Sequence, residues 1–125
     1  MKTIIAGSRT IKLDEVTEFL DELKEFGVVI TEVVSGTAKG VDSHGEWWAK
    51  QQCIPVKRFP ANWDEFGKSA GMIRNQEMLD YAEQLICIWD GVSKGTKNMI
   101  TIAKRKKIPI YLLEVNLVEH QLKLF

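Results

Sequence analysis

The chain has 125 residues, with 17 basic and 17 acidic side chains, and 45% of its residues are hydrophobic. A chain of this length forms one domain that buries roughly two thirds of the surface exposed when it is unfolded, and its composition is typical of folded proteins. Because the charges balance, the protein as a whole produces no positive field that would hold a polyanion such as DNA. Nucleic-acid binding is therefore disfavoured, and an anion site has to be local.

The cysteine, histidine and hydropathy patterns disfavour redox proteins, metalloproteins and membrane proteins. Cys53 and Cys87 lack the spacing of a redox pair, which predicts two small buried side chains in a reducing compartment. His44 has no second histidine or cysteine at metal-binding spacing, so we expect neither a metal site nor a resident cofactor. The chain has no leader pattern and no apolar run of membrane-spanning length, which predicts a cytoplasmic protein without membrane contact.

Short apolar runs alternate with helical patterns along the chain. The first helix is the clearest, because its apolar residues recur at helical spacing, with Asp14 as the predicted N-cap and Gly27 after the last turn. In chain order the pattern predicts a strand at 3–6, a helix at 14–26, a strand at 31–35, a helix at 40–52, a strand at 55–59, a helix at 69–82, a strand at 85–89, a helix at 96–107 and a strand at 108–113.

This alternation predicts an α/β fold with three layers. A mostly parallel sheet of about five strands, in the order 3-2-1-4-5, is expected to carry helices on both faces. Residues 1–125 are predicted to form a single domain, with 115–125 as a C-terminal extension. The extension alternates apolar and polar residues in its last part, so we interpret it as an edge strand or a contact with a partner subunit.

Three glycine-rich turns follow the strands that would be neighbours in this sheet. They comprise Gly7 to Arg9, Ser35 to Gly40 and Asp90 to Thr96. Open α/β sheets bind ligands beyond the carboxyl ends of their strands, where the strand order reverses. Glycine lets backbone amides approach an anion, and a following helix begins with unsatisfied donors. One such turn is ordinary in an α/β protein, whereas three on adjacent strands predict a site.

The predicted ligand-binding residues supply backbone amides, hydroxyl groups, cations and carboxylates for phosphate and ribose. Neither the P-loop nor the G-x-G-x-x-G pattern is present, so ATP hydrolysis and ordinary NAD binding are disfavoured. Asn75 lies on an apolar helical stripe and either caps a neighbouring loop or reaches into the site. The full set is Gly7, Ser8, Arg9, Ser35, Gly36, Thr37, Gly40, Asp42, Lys68, Arg74, Asn75, Asp90, Gly91, Ser93, Gly95 and Thr96.

Two carboxylates are the candidate catalytic residues. Glu46 and Asp90 are expected to bind ribose hydroxyls, or to stabilise an oxocarbenium-like centre if a glycosidic bond is cleaved. Glu46 lies four residues after Asp42, so both side chains project to one side of the second helix. Ribose binding is the preferred interpretation of the two.

The tryptophans suggest contacts beyond the core. Trp47 and Trp48 point about 100° apart on a helix, so one core cannot take both, and one is expected to meet a ligand or a partner subunit in a homo-oligomer. Trp63 is placed in a loop after the third strand, either as a hydrophobic plug or as a lid or base-stacking platform. Trp89 is expected at the rim of the crevice.

Five ordered motifs resemble those of the SLOG superfamily. They are GSR at 7–9, SGTAKGVD at 35–42, FPANW at 59–63, GKSAGMIRN at 67–75 and WDGVSKGT at 89–96, and they are most similar to the small YspA-like group of bacteria and phages. The resemblance implies a Rossmann-like fold that binds a nucleotide-derived small molecule, a nucleoside phosphate or an ADP-ribose-like compound. It implies a sensor, a sequestering protein or a nucleotide-processing enzyme.

Two other branches of the superfamily give the alternatives. The LOG phosphoribohydrolases carry P-G-G-x-G-T-x-x-E, and here Gly95 and Thr96 match while Met99 replaces the catalytic glutamate, which disfavours N-glycosidic hydrolysis. The DNA-processing protein DprA shares the G-S-R and S-G-x-A-x-G-x-D motifs and binds single-stranded DNA. This chain lacks an evident basic and aromatic stacking surface, so that alternative is the weaker one.

Overall fold

The structure is a computed structural model that describes residues 1–115, so the prediction for residues 116–125 lies outside the described part. The elements alternate along the chain as the sequence predicts. The strands are Lys2–Gly7 (β1), Glu32–Ser35 (β2), Val56–Arg58 (β3), Gln84–Trp89 (β4) and Ile110–Glu114 (β5). The helices are Leu13–Glu25 (α1), Val41–Gln51 (α2), Trp63–Phe66 (α3), Ala70–Tyr81 (α4) and Lys94–Lys106 (α5), with a 3-10 turn at Gly67–Ser69.

The five strands form one sheet in the order β3-β2-β1-β4-β5, and every pair is parallel. The predicted α/β fold and strand order are therefore confirmed. β1 lies in the middle, where Ile4 pairs with Val34 of β2 and with Leu85 of β4. Strands buried on both faces need apolar side chains in succession, which is what β1 and β4 provide.

Two hydrophobic cores cover the two faces of the sheet. Successive side chains of a strand point to opposite faces, so Ile4 packs with Leu79 of α4 and Met99 of α5. Ile5 packs in the other core, which contains residues of α1 and α2 such as Leu20 and Trp48. The result is the predicted three-layer arrangement.

The ends of α1 correct one prediction and confirm another. Asp14 is not the N-cap, because the helix begins at Leu13 after Lys12, and Asp14 instead accepts a hydrogen bond from the Glu15 amide at 3.1 Å. Its charge still favours the first turn of the helix. Gly27 follows the C-cap with φ +93°, and the Val28 amide donates to the carbonyl of Leu23 at 3.0 Å, as in a Schellman motif.

The two cysteines have different environments. Cys87 is fully buried in β4, as predicted, and burial raises the pKa of its thiol to about 12. The prediction for Cys53 is wrong, since this residue is exposed. It follows α2 in the turn that leads to β3 and has φ +58°, so the chain reverses there at the surface.

The adjacent tryptophans of α2 are not both in the core, as predicted, while the expected contact of one of them with a ligand or partner stays a prediction. Trp48 is buried, and its indole donates to Asp21 at 2.9 Å, while Trp47 is 48% exposed. Trp63 is not in a loop but begins the short helix α3. Asn62 caps this helix by accepting from the Glu65 amide at 3.1 Å and donating to the Glu65 carboxylate at 3.0 Å, a reciprocal pattern like a capping box.

Helix length and hydropathy also bear on membrane contact. Among the helices of residues 1–115, none combines the length and the apolar character needed to cross a bilayer.

Gly45 sets how closely α2 approaches the sheet. A Cβ at this position would lie 2.7 Å from Cγ2 of the buried Ile5. We expect Gly45→Ala to lower the free energy of unfolding by about 1–3 kcal/mol, because overpacking outweighs the better helix propensity of alanine. Urea unfolding measures the change. The matched control is Gly95→Ala in α5, where no atom lies within 4 Å of the added Cβ, and equal losses in both variants would contradict the explanation.

Candidate functional site

A cavity of about 750 Å³ opens at the carboxyl ends of the central strands. Ala6 and Gly7 at the end of β1 form its floor, and the loops after β2, β3 and β4 together with α4 contribute its walls. This is the point where the strand order reverses, and the volume is within the range of small-molecule sites.

Eleven of the predicted ligand-binding residues line this cavity, and the others support its walls. Whether any of them binds a ligand stays a prediction. The lining residues are Gly7, Arg9, Gly36, Thr37, Asp42, Lys68, Arg74, Asn75, Ser93, Gly95 and Thr96, whereas Ser8, Ser35, Gly40, Glu46, Asp90 and Gly91 lie outside the lining.

Ser8 is a buried junction between three segments. Its amide donates to the carbonyl of Ile88 at 3.1 Å, and its carbonyl accepts from the Val41 amide at 3.3 Å. Its hydroxyl oxygen accepts from the Asp90 amide at 3.0 Å. Ser8 therefore joins the end of β1 to the start of α2 and to the end of β4, which holds the three turns next to one another.

Two glycines allow the loop after β2 to fit against its neighbours. Gly40 has φ +80°, and a Cβ there would lie 2.5 Å from Cα of Arg9. At Gly36 a Cβ would lie 2.8 Å from Nη1 of Arg74 and 2.9 Å from Oδ2 of Asp42. Side chains at these positions would force the loop away from β1 and α4, and the cavity would lose this wall.

Asp42 is a buried carboxyl group in the cavity wall. Its side chain lies in the first turn of α2, the residue is 6% exposed, and Oδ2 accepts from the Ala38 amide at 3.2 Å. Burial raises the pKa of Asp42 to about 6, although the Ala38 amide and the charge of Arg74 act to lower it. A carboxyl group with a pKa near the working pH is a feature of functional sites.

Arg74 and Asn75 connect three parts of the cavity wall. Arg74 Nη1 donates to the carbonyl of Gly36, and Nε donates to Asn75 Oδ1 at 3.1 Å. Asn75 Nδ2 donates to Asn98 Oδ1 at 3.0 Å and to the carbonyl of Gly95 at 3.3 Å. Asn75 therefore bonds the first turns of α5 and also lines the cavity, and its contact with a ligand stays a prediction. Burial lowers the pKa of Arg74, which the charge of Asp42 opposes.

Glu46 has both carboxylate oxygens engaged. Oε2 accepts from the Ser35 hydroxyl at 2.6 Å, and Oε1 accepts from Arg58 Nε at 2.8 Å. The Ser35 oxygen in turn accepts from the amide of Thr37, a residue with φ +65°. A non-glycine residue in this conformation needs support from its surroundings. Through Ser35, Glu46 therefore helps to hold the loop after β2 in its conformation.

Asp90 orders the turn after β4 in a similar way. Its Oδ1 accepts from the amides of Val92 at 2.9 Å and Ser93 at 2.8 Å. Burial acts to raise the pKa of Asp90, but the bonds from Ser93 and Val92 outweigh it and hold the pKa below its ordinary value. Asp90 therefore stays ionised, and Gly91, with φ +83°, completes the turn.

Positive charge dominates the cavity wall. Among the described residues, five cations and one carboxylate line it, the carboxylate being that of Asp42. The α5 helix also begins here, and the amides of Lys94, Gly95 and Thr96 have no acceptor within the helix. The cations are Arg9, Lys39, Lys68, Arg74 and Lys94.

Several lining residues were not predicted from the sequence. For two of them, Gly71 and Met78, the spacing from the predicted Arg74 and Asn75 on α4 is a signal that could have found them. Gly71, Arg74, Asn75 and Met78 all line the cavity and follow one another at i, i+3, i+4 and i+7. This spacing places them on one face of the helix. The remaining missed residues include Ala38, Pro60, Ala61, Met72 and Asn98.

A metal site requires several ligating side chains close together. Within residues 1–115, no group of three His, Cys, Asp or Glu side chains is arranged to hold a metal ion.

Asp42 should make stability depend on pH. Its pKa is raised from 3.8 to about 6 in the folded protein, so the folded state binds this proton more tightly than the unfolded chain. The stabilisation is complete below the unfolded pKa and is lost as the pH rises through 6, by up to about 3 kcal/mol. Asp42→Asn should remove this loss when urea unfolding is measured between about pH 4 and pH 8.

Asp90→Asn is the control for this experiment. Because the pKa of Asp90 is lowered in the folded state, its stabilisation is present at neutral pH and lost in acid. Asp90→Asn should therefore lower stability at neutral pH, the opposite of the Asp42 effect. The same pH profile in Asp42→Asn and in the unaltered protein would contradict the assignment.

Known proteins resemble this chain in sequence. The family described as YAcAr, the YspA, cpYpsA-related SLOG family, matches residues 1–66. The Gene 61 protein of Mycobacterium phage D29 is 32% identical over 120 residues, which span 87% of this chain and 93% of that protein. No solved structure matched the chain. The match to more than half of the chain confirms the resemblance drawn from its motifs: this protein belongs to the YspA, cpYpsA-related SLOG family.

Proposed function

We propose that the cavity binds a nucleotide-derived small molecule, either a nucleoside phosphate or an ADP-ribose-like compound. The observation that carries this proposal is the charge of the wall, where five cations face a single, buried carboxyl group among the described residues. Anions are stabilised by such a wall and by the amides that begin α5. Family membership supports the same class of ligand.

The cavity offers different partners to the phosphate and to the rest of the ligand. Arg9 follows β1, Lys94 is the first residue of α5, and the side chains of both are exposed. We assign the phosphate groups of the ligand to these two cations. Asp42 is the carboxyl group of the wall suited to hydroxyl groups of a ribose, whereas the amide of Asn75 is already bonded to Arg74, Gly95 and Asn98.

A protein that binds such a ligand would act as a sensor, as a sequestering protein or as a nucleotide-processing enzyme. Self-association is a further part of the proposal, with the exposed Trp47 on α2 as the candidate contact. Single-stranded DNA is the disfavoured ligand, because the cations lie inside one cavity rather than along an extended groove.

Removing a cation from the wall should weaken binding. We expect Arg9→Ala and Lys94→Ala each to raise the Kd for a bound nucleotide roughly 10- to 100-fold, because each removes a charge-assisted hydrogen bond. Isothermal titration calorimetry with AMP, ADP, ADP-ribose, pyrophosphate and ribose 5-phosphate measures the effect. A bound ligand should also raise the melting temperature.

Lys104→Ala is the matched control, because Lys104 is an exposed lysine of α5 that lies in its last turn, away from the cavity. Its loss should leave the Kd unchanged. Equal weakening by Lys104→Ala would indicate a general charge effect. Absence of binding for the whole panel would refute the proposed function.

Cleavage of an N-glycosidic bond is the second candidate, and the position of Asp42 favours it. This carboxyl group lines the cavity, and its pKa of about 6 suits a group that exchanges a proton with water or with a leaving base. Glu46 and Asp90, the carboxylates chosen from the sequence, lie outside the lining and are engaged by Ser35 and Arg58 and by backbone amides.

Turnover would appear as free base released from a nucleotide, separated by chromatography. Asp42→Asn should abolish the release, because it removes the titrating group, whereas Glu46→Gln should retain most of it. The reverse result would return the catalytic role to Glu46. Intact nucleotides after prolonged incubation at high protein concentration would leave binding as the function.

A further inference from the structure

Two glycines in the cavity wall have no reason in the fold to be glycine. The chain has nine glycines, all within the described residues. Seven of them have a positive φ or would place a Cβ less than 3.0 Å from a neighbouring atom. The exceptions are Gly71 and Gly95, and both line the cavity.

Both exceptions lie in the first turn of a helix, Gly71 in α4 and Gly95 in α5. Glycine is disfavoured in helices relative to alanine, so packing and propensity both permit a larger side chain here. What a larger side chain would remove is open volume in the cavity. The two glycines therefore leave open volume in the cavity, Gly95 beside the amides that begin α5 and Gly71 in the first turn of α4.

Gly71 lies between an aromatic ring and a cation. A Cβ at this position would be 3.5 Å from Cη2 of Trp63 and 3.9 Å from Nη2 of Arg74, which is ordinary contact. Trp63 is 56% exposed and Met72 is 60% exposed, although both are large apolar residues. Both also line the cavity, so the exposed apolar surface continues directly into the cationic wall.

We propose that Trp63, Gly71 and Met72 form a subsite for the planar aromatic base of a phosphorylated nucleoside. This rests on the proposed function, because the phosphate of the same ligand lies among Arg9, Lys94 and the amides that begin α5. The indole stacks on the base, Met72 supplies a polarisable apolar contact, and Gly71 leaves room for the base between Trp63 and Arg74. An aliphatic ligand would not need a planar partner, and a base-free sugar phosphate would leave this wall uncovered.

The experiment compares ligands that differ only in the base. The Kd values of AMP, GMP, CMP, UMP and ribose 5-phosphate are each measured by calorimetry, with the unaltered protein and with Trp63→Ala. At least one nucleotide should bind more tightly than ribose 5-phosphate, and Trp63→Ala should weaken that nucleotide roughly 5- to 150-fold. Binding of ribose 5-phosphate should be unchanged. Trp63→Phe should restore most of the difference, since a phenyl ring can also stack.

Trp47→Ala is the matched control, because Trp47 is a similarly exposed tryptophan outside the cavity lining. It should not change the Kd of any of these ligands. Gly71→Leu is a second test, because glycine has no side chain whose contacts could be lost. Leucine is a good helix former, and its side chain would fill the space beside Trp63. It should weaken the nucleotide with little change in melting temperature, and an unchanged nucleotide Kd in this variant would overturn the subsite.

The outcomes separate this inference from the proposed function. Equal affinity for ribose 5-phosphate and for all four nucleotides would overturn the base subsite while leaving phosphate binding intact. Loss of ribose 5-phosphate binding in Trp63→Ala would also overturn it, since the residue would then act on the phosphate end. If Trp63→Ala changes the sedimentation mass of the protein without changing nucleotide affinity, Trp63 belongs to a protein interface and the inference is wrong.

Discussion

At the carboxyl end of β1, three backbone segments lie so close together that two of them require glycine. A Cβ at Gly7 would lie 2.0 Å from the carbonyl oxygen of Ile88 in β4, and a Cβ at Gly40 would lie 2.5 Å from the backbone of Ser8 and Arg9. Because β1 is the central strand, this contact draws the turn after β4 and the start of α2 to one point. Buried Ser8 fixes the arrangement with hydrogen bonds to both sides. The cavity opens beside this junction, since Gly7 and Arg9 both line it.

The sequence predicted the parts of the structure that depend on local pattern. Apolar runs and helical spacing predicted the strand order and the edge of the sheet at which the cavity opens, because parallel strands with crossover helices permit few topologies. Contacts between residues that are distant in the chain could not be predicted in this way. Ser35 and Arg58, brought beside Glu46 by β2 and β3, bond both of its carboxylate oxygens, and no local pattern indicates this contact. Cys53 was expected in the core because its neighbours suggested a helix end, and the positive φ that exposes it has no signature in a cysteine.

Three carboxylates near the site differ because their surroundings differ. Asp90 accepts two backbone amides and keeps its charge. Asp42 is more deeply buried, and its bonds from backbone amides and the nearby charge of Arg74 do not offset the cost of burying the carboxylate. The three side chains therefore differ in role. Asp90 and Glu46 hold loops in place through hydrogen bonds, whereas Asp42 lines the cavity and has a raised pKa. No spacing rule distinguishes these roles, since burial comes from the packing of α2 on the sheet.

The fold explains how a chain with no net charge gathers positive charge in one cavity. The five cations of the wall come from the loops after β1, β2 and β4 and from the region around α4, and the fold gathers them at one edge of the sheet. Electrostatic attraction of this kind acts on any phosphate and gives little selectivity by itself. Selection among phosphates requires a contact at the other end of the ligand, and the exposed indole of Trp63 beside the open space at Gly71 is where such a contact is available. In the arrangement that we propose, the cations would supply affinity and the aromatic wall would select the ligand.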